Sequence, residues 1–139
     1  MSDLDAEQIF EEHQDDIHNA LAMLQELCFA RSHAAGWWND EQGVPLDRES
    51  GSVRGMKLAL VHSEISEALE GERTGLPDDK LAHRPMAEVE LADAIIRIFD
   101  YAGACQYDIA GALFEKLAYN TVRADHKPAA RALAGGKKF

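Results

Sequence analysis

Two short runs of acidic residues have the spacing that could hold a metal ion. Glu64 and Glu67 are three residues apart, and so are Glu90 and Asp93. Residues at i and i+3 of a helix lie on one face, so each pair presents two carboxylates together. If two such helices pack side by side, four carboxylates converge and repel one another unless a cation lies among them. Hard divalent ions with oxygen ligands, above all Mg²⁺, suit such a set.

The chemistry that such a site supports is attack by a metal-activated water on a phosphoryl group. Mg²⁺ keeps several water ligands and binds through carboxylates together with substrate phosphates. The alternative is a solvated acidic face, because 28% of the residues are charged and the same spacing recurs at Glu67 and Glu70. Spacing alone leaves both interpretations open.

A basic stripe is predicted further along the chain. Lys116, Asn120 and Arg123 stand at i, i+4 and i+7, which places them on one helical face. Two cations and an amide there could hold phosphate oxygens and a sugar hydroxyl. The alternative is a basic end that complements the helix dipole, which accounts for Arg123 but not for Asn120.

The elements that must position these groups are predicted to be helices throughout, because apolar residues recur at three- and four-residue steps. We predict helices over about 5–33, 56–73, 85–103 and 108–124, joined by a long connection over 34–55 and followed by a basic tail over 125–139. Asp3 or Asp5 could cap the first helix, and Asp108 the fourth. No long strand-like alternation is present, so the fold class is all-α, with four to five helices.

Two helices carry the predicted metal ligands, and each has an apolar stripe that we expect to face the core. The predicted stripes are Leu58, Val61, Ile65 and Leu69 in the second helix, and Val89, Ala92, Ile96 and Phe99 in the third. The long connection before the second helix contains Trp37 and Trp38. Either indole could stack on a nucleotide base, and the alternative for both is packing in the core or at an interface.

Length and charge limit the classes of function. The chain has 139 residues, which suits one domain over 1–139. Its 25 acidic and 14 basic residues leave a net charge of −11, which argues against nucleic acid polymers and anionic membranes as partners. No apolar run approaches the roughly 20 residues of a membrane span. Cys28 and Cys105 form no paired motif, so we expect a reducing, cytoplasmic location.

Taken together, the motifs resemble the MazG-like group of all-α nucleoside triphosphate pyrophosphatases. The similarity covers most of residues 20–139 and depends on both acidic motifs and the Lys-Asn-Arg stripe in this order. The matching segments are 62–70, 90–93, 95–98 and 116–123, with an aromatic turn at 36–38 and a Gly-Lys tail at 135–139.

The resemblance implies Mg²⁺, or Mn²⁺ in its place, held by Glu64, Glu67, Glu90 and Asp93, with Glu67 as a catalytic residue. It implies hydrolysis of a nucleoside triphosphate to the monophosphate and pyrophosphate. Lys116, Asn120 and Arg123 would then bind the phosphates and sugar. Apart from the resemblance, we expect Trp37, Trp38 and Arg97 also to contact the substrate. It further implies a homodimer or homotetramer whose bundle and sites are completed between subunits.

The resemblance does not decide which base the substrate carries, and at two positions the sequence differs from relatives that act on pyrimidine nucleotides. Ser63 stands where relatives that act on dUTP carry a glutamate, and Arg97 stands where dCTP-type relatives carry an aromatic residue. We therefore favour a deoxynucleotide with a purine base such as dGTP, with a pyrimidine dNTP as the alternative. Arg97 shares a helical stripe with Asp93 and Asp100, so it could offset acidic crowding, reach a phosphate, or form an intrahelical ion pair with them.

Two other classes of protein compete with this interpretation. A ferritin-like di-iron bundle also uses carboxylates on packed helices, but it needs Glu-x-x-His twice, and both acidic motifs lack that histidine. A non-enzymatic helical adaptor would leave the four acidic residues dispensable and would show no metal dependence.

Overall fold

The computed structural model describes residues 5–137 and is all-helical there. The helices are α1 (Ala6–Ala34), α2 (Gly51–Thr74), α3 (Met86–Ala104), α4 (Ile109–Val122) and α5 (Pro128–Ala132). A 3₁₀ turn, Ala124–His126, joins α4 to α5. Within residues 5–137 the only β pairing is two isolated bridges, Asn39 with Pro45 and Pro77 with Pro85. The predicted all-α class is therefore confirmed.

The helix boundaries follow the sequence pattern except at α2 and in the tail. α2 begins at Gly51 rather than near Met56, so Gly51 and Gly55 are helical and the connection before it is shorter than predicted. An isolated glycine costs a helix only about 1 kcal/mol relative to alanine, which continued packing can offset. Beyond residue 125 the chain forms α5, which was not predicted. None of the helices within residues 5–137 is long and apolar enough to cross a membrane.

The helix ends are capped largely as the sequence indicates. Asp5 accepts hydrogen bonds from the backbone N–H groups of Glu7 and Gln8, and Asp108 accepts one from Gly111. The other proposed cap of α1, Asp3, lies outside the described residues. α2 ends at Gly75, whose φ of 65° is in the left-handed region that favours glycine.

The described residues divide into two compact units. The larger is residues 23–107 and holds α2 and α3; the smaller is residues 5–22 together with 108–137 and holds α4 and α5. Each unit is described by itself below. The prediction of one domain over 1–139 stays a prediction.

The centre of the larger unit is the packing of α2 against α3. The two helices run antiparallel and lie close together at Gly71, where an added Cβ would lie 2.7 Å from the backbone nitrogen of Ala87. Small residues make this approach possible: Ala68, Ala87 and Ala94 are all buried. Because α2 and α3 lie so close together, polar side chains of α2 that neighbour these alanines contact polar side chains of α3.

The predicted burial of the apolar stripe of α2 is wrong for three of its four residues, and the fourth, Val61, is partly buried. Leu58, Ile65 and Leu69 are exposed, and the buried residues of α2 are Lys57, Glu64, Ala68 and Gly71. In α3 the prediction is right for Phe99, which is buried, and wrong for Ala92 and Ile96, which are exposed. The buried residues of α2 are therefore mostly small or charged, and the small ones leave room for the close approach at Gly71.

In the smaller unit, aromatic contacts join the first part of α1 to α4. The rings of Phe10 and Phe114 lie 5.5 Å apart between centroids, and His18 lies 6.2 Å from Phe114. After α4, Asp125 accepts hydrogen bonds from Arg123 and Lys137. These two cations hold the pKa of the Asp125 carboxyl well below its usual range.

Candidate functional site

Three of the four predicted metal ligands come together between α2 and α3. Glu64, Glu90 and Asp93 each offer a carboxylate oxygen, and these atoms all lie within 4.8 Å of one another. Glu64 is 6% exposed and Glu90 9%, whereas Asp93 reaches the surface. We call these three residues the acid cluster. Carboxylate oxygens this close, with one side open to solvent, fit the ligand preference of Mg²⁺, which retains part of its hydration shell.

Glu67, predicted as both a ligand and a catalytic residue, lies outside the acid cluster. Its side chain is exposed on α2, less than one turn beyond Glu64. Its charge nevertheless contributes to raising the pKa of Glu90, so it belongs to the same electrostatic environment. Its proposed roles stay predictions.

The acid cluster is strained electrostatically. Burial, followed by a hydrogen bond with Glu64 and the charges of the neighbouring acids, raises the pKa of Glu90 to about 7. Burial and the charge of Glu64 also raise the pKa of Asp93, with Arg97 acting in the opposite direction. Such crowding is what a bound divalent cation would relieve, because it supplies the missing positive charge.

Arg97 already supplies one positive charge to the acid cluster. Its Nε donates a hydrogen bond of 2.5 Å to a carboxylate oxygen of Glu64 on the neighbouring helix. The intrahelical ion pair with Asp93 and Asp100 considered from the sequence is therefore not the one that forms. A nearly buried carboxylate gains more from a cationic partner than an exposed one does, which favours Glu64 over the exposed Asp93. Asp100 is buried as well, but it already accepts a hydrogen bond from Trp38.

A cavity of about 640 Å³ adjoins the acid cluster within the same unit. Asp93 and Arg97 form part of its wall, and much of the remaining wall is apolar, including Leu24, Leu27 and Ile96. Its volume is within the roughly 300–1,000 Å³ range of small-molecule sites. A largely apolar cavity with charged side chains in its wall suits a ligand that has a ring system and an anionic group.

The two adjacent tryptophans have different environments. Trp37 is 65% exposed and lines the cavity, whereas Trp38 is 2% exposed. The Trp38 indole N–H donates to Asp100 over 2.7 Å, and the ring packs edge-on against Phe29. Trp38 therefore takes the core-packing alternative given for it from the sequence, and Trp37 is the indole that a ligand in the cavity can reach.

Sequence reasoning missed Lys57, which positions Trp37. The Lys57 side chain is buried, its ammonium donates to the backbone carbonyl of Trp37 over 2.5 Å, and it lies 4.3 Å from the centroid of the Trp38 ring. Burial lowers the pKa of Lys57, although the charge of Asp100 partly compensates. The sequence carries no signal for this, because a single lysine near the start of a helix usually lies on the surface.

The basic stripe lies in the smaller unit. Lys116 and Arg123 both approach the ring of Tyr119, at 4.8 Å and 5.7 Å from its centroid. Arg123 follows the last residue of α4 and is already paired with Asp125. The Oδ1 atom of Asn120 is buried without a hydrogen-bond partner in the part of the chain that the structure describes. The role of these residues in substrate binding stays a prediction.

The acid cluster and its cavity are the features on which a functional assignment depends. The structure gathers three acids and one arginine, and two of these residues, Asp93 and Arg97, line a cavity that the accessible indole of Trp37 also lines. Comparisons of the chain with protein-family models, with curated proteins and with solved structures find no match. The chemistry of these side chains therefore carries the proposal that follows.

Proposed function

We propose that the protein is a Mg²⁺-dependent nucleoside triphosphate pyrophosphohydrolase, which converts a (d)NTP and water into the (d)NMP and pyrophosphate. The observation that carries the proposal is the acid cluster at the edge of a cavity of nucleotide size, with Asp93 belonging to both. A metal-carboxylate centre beside an apolar cavity would bring the phosphates to the ion and the base to the cavity.

Glu64, Glu90 and Asp93 would hold Mg²⁺ or Mn²⁺, with Glu67 close by on α2. When bound, the ion would supply an activated water and neutralise charge on the phosphates. The exposed carboxylate of Glu67 would accept the proton of the attacking water, which is directed to the α-phosphate. Arg97, at the cavity wall, provides a guanidinium whose planar donors suit phosphate oxygens.

The cavity would hold the nucleoside part of the substrate. Trp37 provides an accessible indole, and the buried ammonium of Lys57 fixes its backbone. Base stacking on such a ring is worth about 1–3 kcal/mol. We favour a deoxynucleotide with a purine such as dGTP, and a pyrimidine such as dUTP or dCTP is the alternative.

Lys116, Asn120 and Arg123 would contact the phosphates and sugar in an assembled homodimer or homotetramer. Two cations beside one tyrosine ring and an Asn120 oxygen without a partner among the described residues support a polar binding role for this stripe. The exposed Leu58, Ile65 and Leu69 on α2 support association, because large exposed apolar patches mark interaction surfaces. The thiols of Cys28 and Cys105 are both free, which agrees with a cytoplasmic location.

The proposed function is tested with a panel of NTPs and dNTPs, with Mg²⁺ or with a chelator, and chromatography of the products. We expect at least one nucleotide to yield its monophosphate and pyrophosphate only when the metal is present. Release of orthophosphate, or turnover that persists in the chelator, would contradict the proposal. No turnover of any nucleotide would favour the helical adaptor instead, for which the exposed apolar face of α2 is the supporting observation.

A matched pair of variants assigns the activity to the acid cluster. Glu64→Gln removes one cluster carboxylate, and we expect turnover to fall at least about 100-fold, since metal-ion charge stabilisation is worth several kcal/mol. Glu88→Gln is the control, because Glu88 is an exposed acid of α3 that pairs only with Arg84 among the described residues. Its activity should remain within about twofold of the wild type.

A further inference from the structure

Arg97 occupies the carboxylate that the proposed metal ion needs. Glu64 is the most buried member of the acid cluster, and Arg97 is the cation that hydrogen-bonds to the cluster in the part of the chain that the structure describes. Two positive charges that share one poorly solvated carboxylate repel each other strongly. The guanidinium of Arg97 and a divalent ion would therefore compete for the carboxylate of Glu64.

We propose that Arg97 is a built-in counter-cation that competes with the divalent ion for Glu64 and, once displaced, binds the phosphates of the ligand. The inference rests on the proposed metal site and extends it, because it assigns Arg97 two alternative partners. In the metal-free protein Arg97 compensates the crowded acids. When Glu64 is engaged by the ion, Arg97 no longer has that carboxylate as its partner.

The position of Arg97 gives it a second partner within reach. Its side chain is partly exposed, and it forms part of the cavity wall beside Asp93. Freed from Glu64, the guanidinium presents a fork of N–H donors to an anion in the cavity, and such forks match phosphate oxygens. The ion pair between Arg97 and Glu64 therefore couples the binding of the metal ion to the binding of phosphate. A metal ion bound to Glu64 frees Arg97 for phosphate, and phosphate bound to Arg97 frees Glu64 for the metal ion.

A purely structural ion pair would behave differently. In that case Arg97 would stabilise the contact between α2 and α3 equally with and without metal, and its removal would not improve metal binding. Competition predicts instead that loss of Arg97 raises the affinity for the metal ion and lowers the affinity for phosphate. The sign of the change in metal affinity therefore separates the two roles.

The test is the affinity for Mn²⁺ without nucleotide, measured by electron paramagnetic resonance on the full chain. We expect Arg97→Gln to bind Mn²⁺ roughly tenfold more tightly than the wild type, within the usual range of coupling between two ligands. Arg84→Gln is the matched control, since it removes the same charge from an exposed arginine that pairs with Glu88 near the start of α3. Its Mn²⁺ affinity should change less than about twofold. An unchanged or weaker affinity in Arg97→Gln would overturn the inference.

Thermal unfolding gives a second measurement that does not depend on turnover. Mg²⁺ should raise the Tm of Arg97→Gln by more than it raises that of the wild type, because only the variant lacks its internal cation. Equal increments would overturn the inference. If Arg97→Gln fails to fold without metal, Arg97→Lys serves instead: it keeps the charge but loses the Nε hydrogen bond, so tighter Mn²⁺ binding than in the wild type supports competition and equal or weaker binding refutes it.

The phosphate half of the inference is tested with inorganic tripolyphosphate in the presence of Mg²⁺. Calorimetry should show binding weakened about tenfold in Arg97→Gln and unchanged in Arg84→Gln. Equal affinities for Arg97→Gln and the wild type would overturn the second role of Arg97.

These outcomes are distinguishable from failure of the proposed function. Tighter Mn²⁺ binding in Arg97→Gln without hydrolysis of any nucleotide would remove the proposed function and leave the competition standing. Nucleotide hydrolysis with an unchanged Mn²⁺ affinity in the variant would remove only the competition. Absence of Mn²⁺ binding in every variant would remove both.

Discussion

The indole N–H of Trp38 donates to the carboxylate of Asp100 over 2.7 Å, and both side chains are buried. The bond joins the connection between α1 and α2 to the last part of α3. It therefore holds Trp37, the neighbouring residue in the chain, at the wall of the cavity.

We expect Trp38→Phe to lower the free energy of unfolding by about 2–3 kcal/mol, because it leaves a buried carboxylate without its donor. Urea denaturation measures the change. Trp37→Phe is the matched control, since this exposed indole supports little structure, and its effect should stay within about 0.5 kcal/mol. Equal losses in the two variants would contradict the assignment of Trp38 to the core and Trp37 to the cavity.

Gly71 permits the approach of α2 to α3 that assembles the acid cluster. A methyl group at this position would lie 2.7 Å from the backbone of Ala87, so Gly71→Ala forces the helices apart and should cost about 1–3 kcal/mol. We expect Mn²⁺ binding to weaken with it. Gly55→Ala is the control in the same helix: an added methyl there has no atom within 4 Å, and alanine should stabilise the helix by roughly 0.4–1 kcal/mol. Gly71→Ala as stable as Gly55→Ala in chemical denaturation would contradict the packing argument.

Glu67 lies three residues after Glu64, and Glu70 lies three residues after Glu67, so both have the spacing that predicts metal ligands. We expect only Glu67 to be needed for activity. Glu67→Gln should reduce pyrophosphate release by about 10²–10⁴-fold, as expected for loss of a general base, with an unchanged circular dichroism spectrum. Glu70→Gln should retain activity, because Glu70 is exposed and pairs with Arg73. Wild-type rates in Glu67→Gln would refute its catalytic role.

Asp78 holds the connection between α2 and α3. It accepts hydrogen bonds from the backbone N–H groups of Leu81, at 2.5 Å, and Lys80, at 3.0 Å. These bonds hold the pKa of Asp78 below its ordinary value. The resulting stabilisation is complete above the unfolded pKa of about 3.9 and is lost as the pH falls through the folded pKa.

Asp78→Asn should therefore lower the Tm by a few degrees at pH 7, and the difference from the wild type should shrink as the pH falls below about 4. Thermal scans between pH 3 and pH 7 provide the measurement. Asp79→Asn removes an exposed neighbour whose side chain pairs only with Lys80 among the described residues, and it should change the Tm little at any pH. A difference for Asp78→Asn that is independent of pH would show that ionisation of this carboxyl does not contribute.

The helices and most of their ends were predictable from the sequence, because periodicity and capping depend on neighbours a few residues away. Asp5 and Asp108 cap helices as expected. The start of α2 at Gly51 was not predictable, since glycine is a weak helix former that tertiary packing can override. The same-face spacing of Glu90 with Asp93 was equally local, and so it was evident before the structure.

Only the tertiary structure decided which side chains of different helices contact one another. Glu64 joins Glu90 and Asp93 because Gly71 lets two helices approach, and Arg97 pairs with Glu64 rather than with the acids on its own helix. The exposed apolar stripe of α2 shows a related limit. Apolar periodicity indicates which residues share a face, but it does not determine whether another element covers that face.

The adjacent residues Trp37 and Trp38 show most clearly what the sequence determines and what only the tertiary structure determines. The sequence determined that this chain is helical, acidic and equipped with two carboxylate pairs on helix faces. It did not determine that Trp38 is buried on Asp100 while Trp37 faces a cavity. Helical periodicity and capping act over one or two turns, whereas burial, ion pairing and cavity formation depend on contacts between residues far apart in the chain, and those contacts exist only in the folded state.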